Sequence, residues 1–298
     1  MAAGTSASSL KKGILFLVTS AFGFALMGMF VHLADFHGGH ISAIQKSFFR
    51  NIVALALAAA LFIGRRRKAD RSSSRISAKA WTLLLARSVF GTVGIFGNFY
   101  ALSNMPVADA LMLNKLAPFF TVLFSWLFIR ERITLRQALC LAGAFAGATL
   151  VVKPGFGAAA LMPALCGVAG GVGAGAAYTC LRELGLMKVN GAFIVLFFSA
   201  FSTLSAVPFL LFDFHPMTLA QTLILVGAGA AAALGQFSVT AAYRFAEARR
   251  IAAWDYTNIL FGAILGFLAF GQVPDAWSIL GFVLILVMAL ALNSRSGP

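Results

Sequence analysis

Apolar blocks of about twenty residues, separated by short polar gaps, run along almost the whole chain. That length is what an α-helix needs to cross a hydrocarbon core of ~30 Å. Ten such blocks can be marked, at 13–33, 41–63, 81–103, 107–129, 133–152, 161–181, 190–212, 217–243, 250–270 and 276–293. Only the gap 64–80 is long. It is Ser-rich and basic, and reads as a solvated loop without a fold of its own. The pattern predicts an all-α membrane protein with ten transmembrane helices.

Composition agrees. Hydrophobic residues make up 60% of the 298 positions and charged residues only 11%, against about 25% charged in a soluble domain. The formal charge of +14 would suggest nucleic acid in a soluble protein. Here the basic residues sit in the gaps, where they orient a membrane protein instead, so no nucleic-acid partner is expected. With the N-terminus inside, the inner segments hold Lys11 and Lys12; Arg65, Arg66, Arg67, Lys68, Arg71, Arg75 and Lys79; Arg130, Arg132 and Arg136; Arg182 and Lys188; Arg244, Arg249 and Arg250; and Arg295. These are eighteen of the 23 lysines and arginines, and the outer loops hold only Lys153. By the positive-inside rule, both termini are expected in the cytoplasm of a bacterial-type plasma (inner) membrane. The run after Lys11 and Lys12 extends to about Leu33. It is too long for a signal-peptide core and reads as the first retained span. Cys140, Cys166 and Cys180 lie in apolar segments without metal-ligand spacing. His37 and His40 read as solvated outer-loop residues. No metal and no cofactor is expected.

An internal repeat organises the spans. Residues 101–152 align on 242–293 without a gap, which places Asn114 on Asp255, Lys115 on Tyr256, Glu131 on Gln272 and Cys140 on Gly281. Phe48-Phe49-Arg50 falls on Phe197-Phe198-Ser199. Five spans per half is an odd number, so the halves would enter the membrane from opposite sides, as inverted repeats do in secondary transporters. The expected organisation is a tail at 1–12, one five-helix repeat over 13–153 containing the loop 64–80, a second over 154–293, and a tail at 294–298.

Within the first copy, Ala101-Leu102 closes a span, Ala108 and Ala110 open the next, Pro118 lies in its middle, Glu131 follows it, and Gly147 sits in the fifth. Together with Phe48-Phe49-Arg50 and the stretch 241–260, these features resemble the EamA family of the drug/metabolite transporter superfamily. The resemblance spans about 13–293. Cys140 stands where the family usually has Gly, and Gln272 where the second copy often has Glu. What the resemblance implies is ten helices around a central cavity, alternating access and small metabolites as substrates.

No phosphate-binding glycine loop, nucleophile elbow or HExxH motif is present, so the chain is not expected to be an enzyme. Gly167, Gly171 and Gly175 recur every four residues, as in a helix-packing face. The informative residues are charges inside spans, which are costly and usually functional. Lys115 lies too deep in its span to reach an interface easily, and Pro118 removes the amide that would bond the Asn114 carbonyl. A broken helix beside an ammonium is a ligand site or a structural pair. Arg50 contacts substrate or serves the scaffold, and Lys46, one turn away, snorkels outward or joins it. Arg87, Gly91, Gly94 and Asn98 form one helical stripe, either polar lining or a packing seam. The ninth span offers Trp254, Asp255, Tyr256 and Asn258, with Tyr178 and Gln236 as further donors. Because counterparts in inverted repeats flank one central site, the clusters around Lys115 and Asp255 are expected to meet.

The excess of positive charge within the spans favours a carboxylate-bearing solute, such as an amino acid or organic acid. The partners expected are that solute, membrane lipids, and a proton or exchanged solute as coupling species. The alternatives are export of cationic or neutral drug-like compounds, a channel-like pore, or an intramembrane enzyme.

Overall fold

The computed structural model describes residues 7–35, 38–39, 41–68, 76–104, 113–152, 161–271 and 273–293. Among them every regular element is helical. In chain order these are α1 (Ala7–Asp35), α2 (Ala43–Lys68), α3 (Ala78–Asn104), α4 (Ala117–Phe124), α5 (Leu135–Val152), α6 (Leu161–Leu186), α7 (Gly191–Leu210), α8 (Leu219–Phe245), α9 (Thr257–Phe270) and α10 (Ala276–Asn293). A π-helical turn, Ser125–Ile129, extends α4. A short turn at Ala248–Ile251 and a 3-10 turn at Ala252–Tyr256 lead into α9.

Seven stretches are long and apolar enough to cross a membrane, while Ala117–Ile129, Leu135–Leu150 and Ala276–Ala291 are apolar but shorter. Leucines, valines and phenylalanines on most of these helices point outward, among them Leu139, Leu165, Leu204, Leu223, Leu268 and Val283, each more than half exposed. A soluble surface does not carry an apolar belt of that extent, whereas lipid is the solvent it suits. The opening residues of the fourth predicted span, and Lys153, His37 and His40, lie outside the described residues. Several helices overrun their expected ends: α1 starts at Ala7, α6 continues to Leu186 and α8 to Phe245, while α2 continues to Lys68 and α3 starts at Ala78, so that both enter the stretch 64–80 expected to be loop. Arg182, expected in an inner loop, therefore lies within a helix.

Local chemistry sets several of the ends. Asn190 caps α7 by accepting from the amides of Ala192 and Phe193. Thr218 and Gln221 form a reciprocal capping box on α8. α4 and its π turn stop at Arg130, which takes a left-handed backbone with φ 61°.

The helices pack in pairs: α1 on α8, α3 on α6, α2 on α7, and α5 on α10. Glycines allow the closest approaches. A Cβ on Gly97 would lie 2.4 Å from the Cys166 carbonyl oxygen, and one on Gly173 would lie 2.7 Å from that of Phe90. On another side of α6, Gly167, Gly171 and Gly175 receive Leu113, Leu116 and Phe120. α6 is thus wedged between α3 and α4 along two glycine faces.

The main apolar core occupies the end of the bundle where α1 begins and α8 finishes, with Leu17, Leu84, Leu181, Ile194, Tyr243 and Ile251 buried together. Ion pairs tie the same end. Arg182 Nε meets Glu131 Oε1 at 2.8 Å with both side chains buried, and Arg249 meets Glu247 at 2.7 Å. Arg182 also donates to the Tyr243 carbonyl at 3.4 Å, and Arg249 to that of Arg132. This end is closed.

Candidate functional site

Two interruptions in helical backbone define the site. Leu113 and Asn114 are helical, Lys115 and Leu116 form a turn, and α4 restarts at Ala117 with Pro118 in its first turn. Proline is accommodated there because a helix's first amides have no intrahelical partner. The Leu116 amide closes back on Leu113 at 3.1 Å. The second interruption is the 3-10 turn Ala252–Tyr256 before α9.

The interruptions meet. Lys115 Nζ donates to Asn258 Oδ1 at 2.8 Å, and Asn258 Nδ2 donates to the Ala21 carbonyl of α1 at 2.9 Å. The Tyr256 hydroxyl, fully buried, donates to the Lys115 carbonyl at 2.9 Å. Asp255 shares the neighbourhood, yet among the described residues no cation approaches it within 4 Å.

Above this floor lies a cavity of about 800 Å³. Its lining includes Arg50, Arg87, Asn98, Asn114, Lys115, Tyr178, Gln236, Asp255 and Asn258, nine of the residues singled out in the sequence. The stripe Arg87, Gly91, Gly94 and Asn98 faces it throughout, although Gly94 also packs closely on Ala174. Trp254 and Tyr256 are not in the lining: Trp254 packs against the apolar core and Tyr256 sits beneath the floor. Toward the open end the lining reaches His32 and Phe270, in the last turns of α1 and α9.

The walls carry buried cations. Arg50 and Arg87 are 8% and 2% exposed. The Arg87 guanidinium lies over the Phe198 ring at 3.7 Å, and that of Arg50 lies 5.7 Å from the Phe24 centroid. Neither has a carboxylate within 4 Å among the described residues. Arg50 Nε, Arg87 Nε and Nη1, and Gln236 Nε2 are buried without a hydrogen-bond partner. Tyr178 stacks on Tyr243 at 5.3 Å. Sequence reasoning missed Phe24 and Phe198, since nothing separates these two rings from the other phenylalanines of a chain with 30. Among the described residues no group of three His, Cys, Asp or Glu converges to hold a metal.

The family model described as "EamA-like transporter family" matches residues 11–153. The pseudopaline exporter CntI of Pseudomonas aeruginosa (strain UCBPP-PA14) is 34% identical, over 95% of this chain and 96% of that protein. The chain belongs to the EamA-like transporter family. Another relative of this EamA-like protein is a riboflavin transporter of Vibrio cholerae, 26% identical over 93% of this chain and 91% of that one. A solved crystal structure superposes with a TM-score of 0.80 over 95% of this chain and 96% of the other, at 17% identity, which is a likeness of fold. The EamA-like protein is accordingly a multi-pass membrane transporter of small molecules, and not an enzyme.

Proposed function

We propose that this EamA-like protein is a secondary transporter that moves a small carboxylate-bearing solute, such as an amino acid or organic acid, across a bacterial-type inner membrane by alternating access. The observation that carries the reading is the cavity between the two interruptions and the open end. It runs from a floor built by the two backbone interruptions to one end of the bundle, while core and ion pairs close the other end. That is the shape expected of one of two access states around a fixed site.

Two inverted halves, 13–153 and 154–293, fit the pairing of helices. Under that scheme α1 on α8 corresponds to α6 on α3, while α2 on α7 and α5 on α10 correspond to themselves. Matching contacts support the register. A Cβ on Gly23 would meet the Ala231 carbonyl at 3.0 Å and the Gly235 amide at 2.7 Å. One on Gly173 would meet the Phe90 carbonyl at 2.7 Å and the Gly94 amide at 3.0 Å. Gly94 and Gly235 fall together when the offset that pairs Lys115 with Tyr256 is carried back beyond the aligned stretch 101–152. With the loop charges read as before, both termini are cytoplasmic and the cavity opens outward. The name of the P. aeruginosa relative favours export as the direction.

Asp255 is the candidate coupling site, for a proton or for the ammonium of an exchanged solute. The experiment is transport in proteoliposomes of labelled amino acids, organic acids, cationic drugs and neutral drugs, with and without a pH gradient, alongside Lys115→Ala. Saturable flux of a carboxylate solute that Lys115→Ala reduces at least tenfold is expected. Movement of cationic or neutral compounds alone would instead favour the drug-export reading.

A further inference from the structure

The cavity offers more than one place for negative charge. Of the described lining residues, Arg50, Arg87 and Lys115 are buried cations and Asp255 is the one carboxylate. The two guanidiniums stand on different walls. Arg50 belongs to α2 and faces Phe24 of α1; Arg87 belongs to α3 and faces Phe198 of α7. Each is at least nine-tenths buried, and Arg50 Nε and Arg87 Nε and Nη1 have no hydrogen-bond partner among the described residues. A buried guanidinium without partners is costly. It is retained where a ligand supplies the acceptors, and its planar fork suits a carboxylate in particular.

Gly91 makes one of these seats possible. A Cβ there would lie 2.2 Å from Arg87 Nη1 and 2.9 Å from Phe198 Cε2. The guanidinium therefore folds into the space that the missing side chain leaves, between its own helix and the Phe198 ring. The floor differs. Lys115 already donates to Asn258 and has Asp255 beside it, so it suits a polar group better than a further full negative charge.

We infer that the transported solute bears at least two carboxylates, one seated on Arg50 and the other on Arg87, and that Gly91 is the positioning residue that holds the Arg87 seat open. This rests on the carboxylate reading above and narrows it from carboxylate-bearing solutes in general to polycarboxylic ones. A second carboxylate would give each guanidinium an acceptor of its own.

The test uses the purified full chain and ligand-induced shifts in melting temperature, with acetate, alanine, succinate, glutamate, citrate and methylenediphosphonate as probes. The variants are Arg50→Gln, Arg87→Met and Gly91→Ala. Succinate, glutamate or citrate are expected to bind more tightly than acetate or alanine. Each arginine variant is expected to weaken them by about 10- to 100-fold, the loss of a hydrogen bond to a charged group, with monocarboxylate binding changed only a few-fold. Gly91→Ala, which alters no charge, is expected to behave like Arg87→Met toward the ligands. Ligand-free Arg87→Met is expected to melt no lower than the parent, because an uncompensated buried charge has gone. Equal affinity for mono- and dicarboxylates overturns the two-seat inference and leaves the carboxylate reading standing. So does a ligand-free Arg87→Met that melts lower yet keeps the full succinate shift. Binding of methylenediphosphonate without any carboxylate, or of no anion at all, overturns both.

Discussion

The buried pair at the closed end permits a sharp prediction because its partners differ in one respect. Glu131 and Arg182 meet at 2.8 Å with side chains 8% and 9% exposed, and Glu131 Oε2 has no hydrogen-bond partner. Removing either leaves the other buried without its partner. A guanidinium cannot shed its charge, but a carboxyl can take up a proton. Burial already pushes the Glu131 carboxyl above the usual carboxylate range, with Arg182 opposing that shift. Glu131→Gln should therefore cost the full ~3–5 kcal/mol of a broken buried pair. At ~2–4 °C per kcal/mol, the melting temperature falls by about 6–20 °C. Arg182→Met should cost less at low pH, where Glu131 is neutral. An acid whose pKa is higher in the folded than in the unfolded state is favoured while protonated. Stability is thus greatest below the unfolded pKa and declines as pH rises through the folded one. Arg182→Met should accordingly lose stability from pH 5 to pH 8 more steeply than Glu131→Gln, which has no carboxyl to titrate at that position. The assay is thermal unfolding of detergent-purified protein across that pH range. Equal losses in both variants with parallel pH profiles would refute the reasoning, since the pair would then act through packing alone.

Other expectations follow from single contacts. Gly97→Ala, whose Cβ would sit 2.4 Å from the Cys166 carbonyl, should destabilise by about 1–3 kcal/mol through overpacking. Gly64→Ala, with open space around it, should match or exceed the parent by up to ~1 kcal/mol; unfolding midpoints compare the two. Tyr256→Phe strips the donor from the Lys115 carbonyl and should cost roughly 1–3 kcal/mol, measured by unfolding, and slow transport. Alkaline phosphatase fused after Phe214 should be active and after Lys188 inactive; the reverse pattern would invert the assigned orientation.

Much of the site could be read from sequence because a membrane makes charge conspicuous. Lys115, Arg50, Arg87 and Asp255 stand out in apolar surroundings, and all four line the cavity. The repeat alignment juxtaposed Lys115 with Tyr256, and the two residues are joined by a hydrogen bond. Identity alone could not say which of a cluster's members face inward. Trp254 and Tyr256 lie next to Asp255 in sequence, yet a 3-10 turn sends successive side chains in different directions. Nor could it reveal that Phe24 and Phe198 support the arginines, because apolar residues are ordinary in every span. Arg182 was misplaced for a related reason. Loop ends were drawn where charge appeared, and an arginine neutralised by Glu131 can stay in the helix.

The floor and the walls of the cavity differ in what they lack. Lys115, Asn258 and Tyr256 have one another, and Asn258 also has the Ala21 carbonyl, so the floor is ordered without a solute. Arg50, Arg87 and Gln236 each have a buried donor without a partner among the described residues. The conformational entropy of arranging the floor is therefore spent during folding rather than on binding, which is what preorganisation means. Solutes that differ only in what they present to the walls will be sorted by affinity at the walls, against a base that need not rearrange to receive any of them.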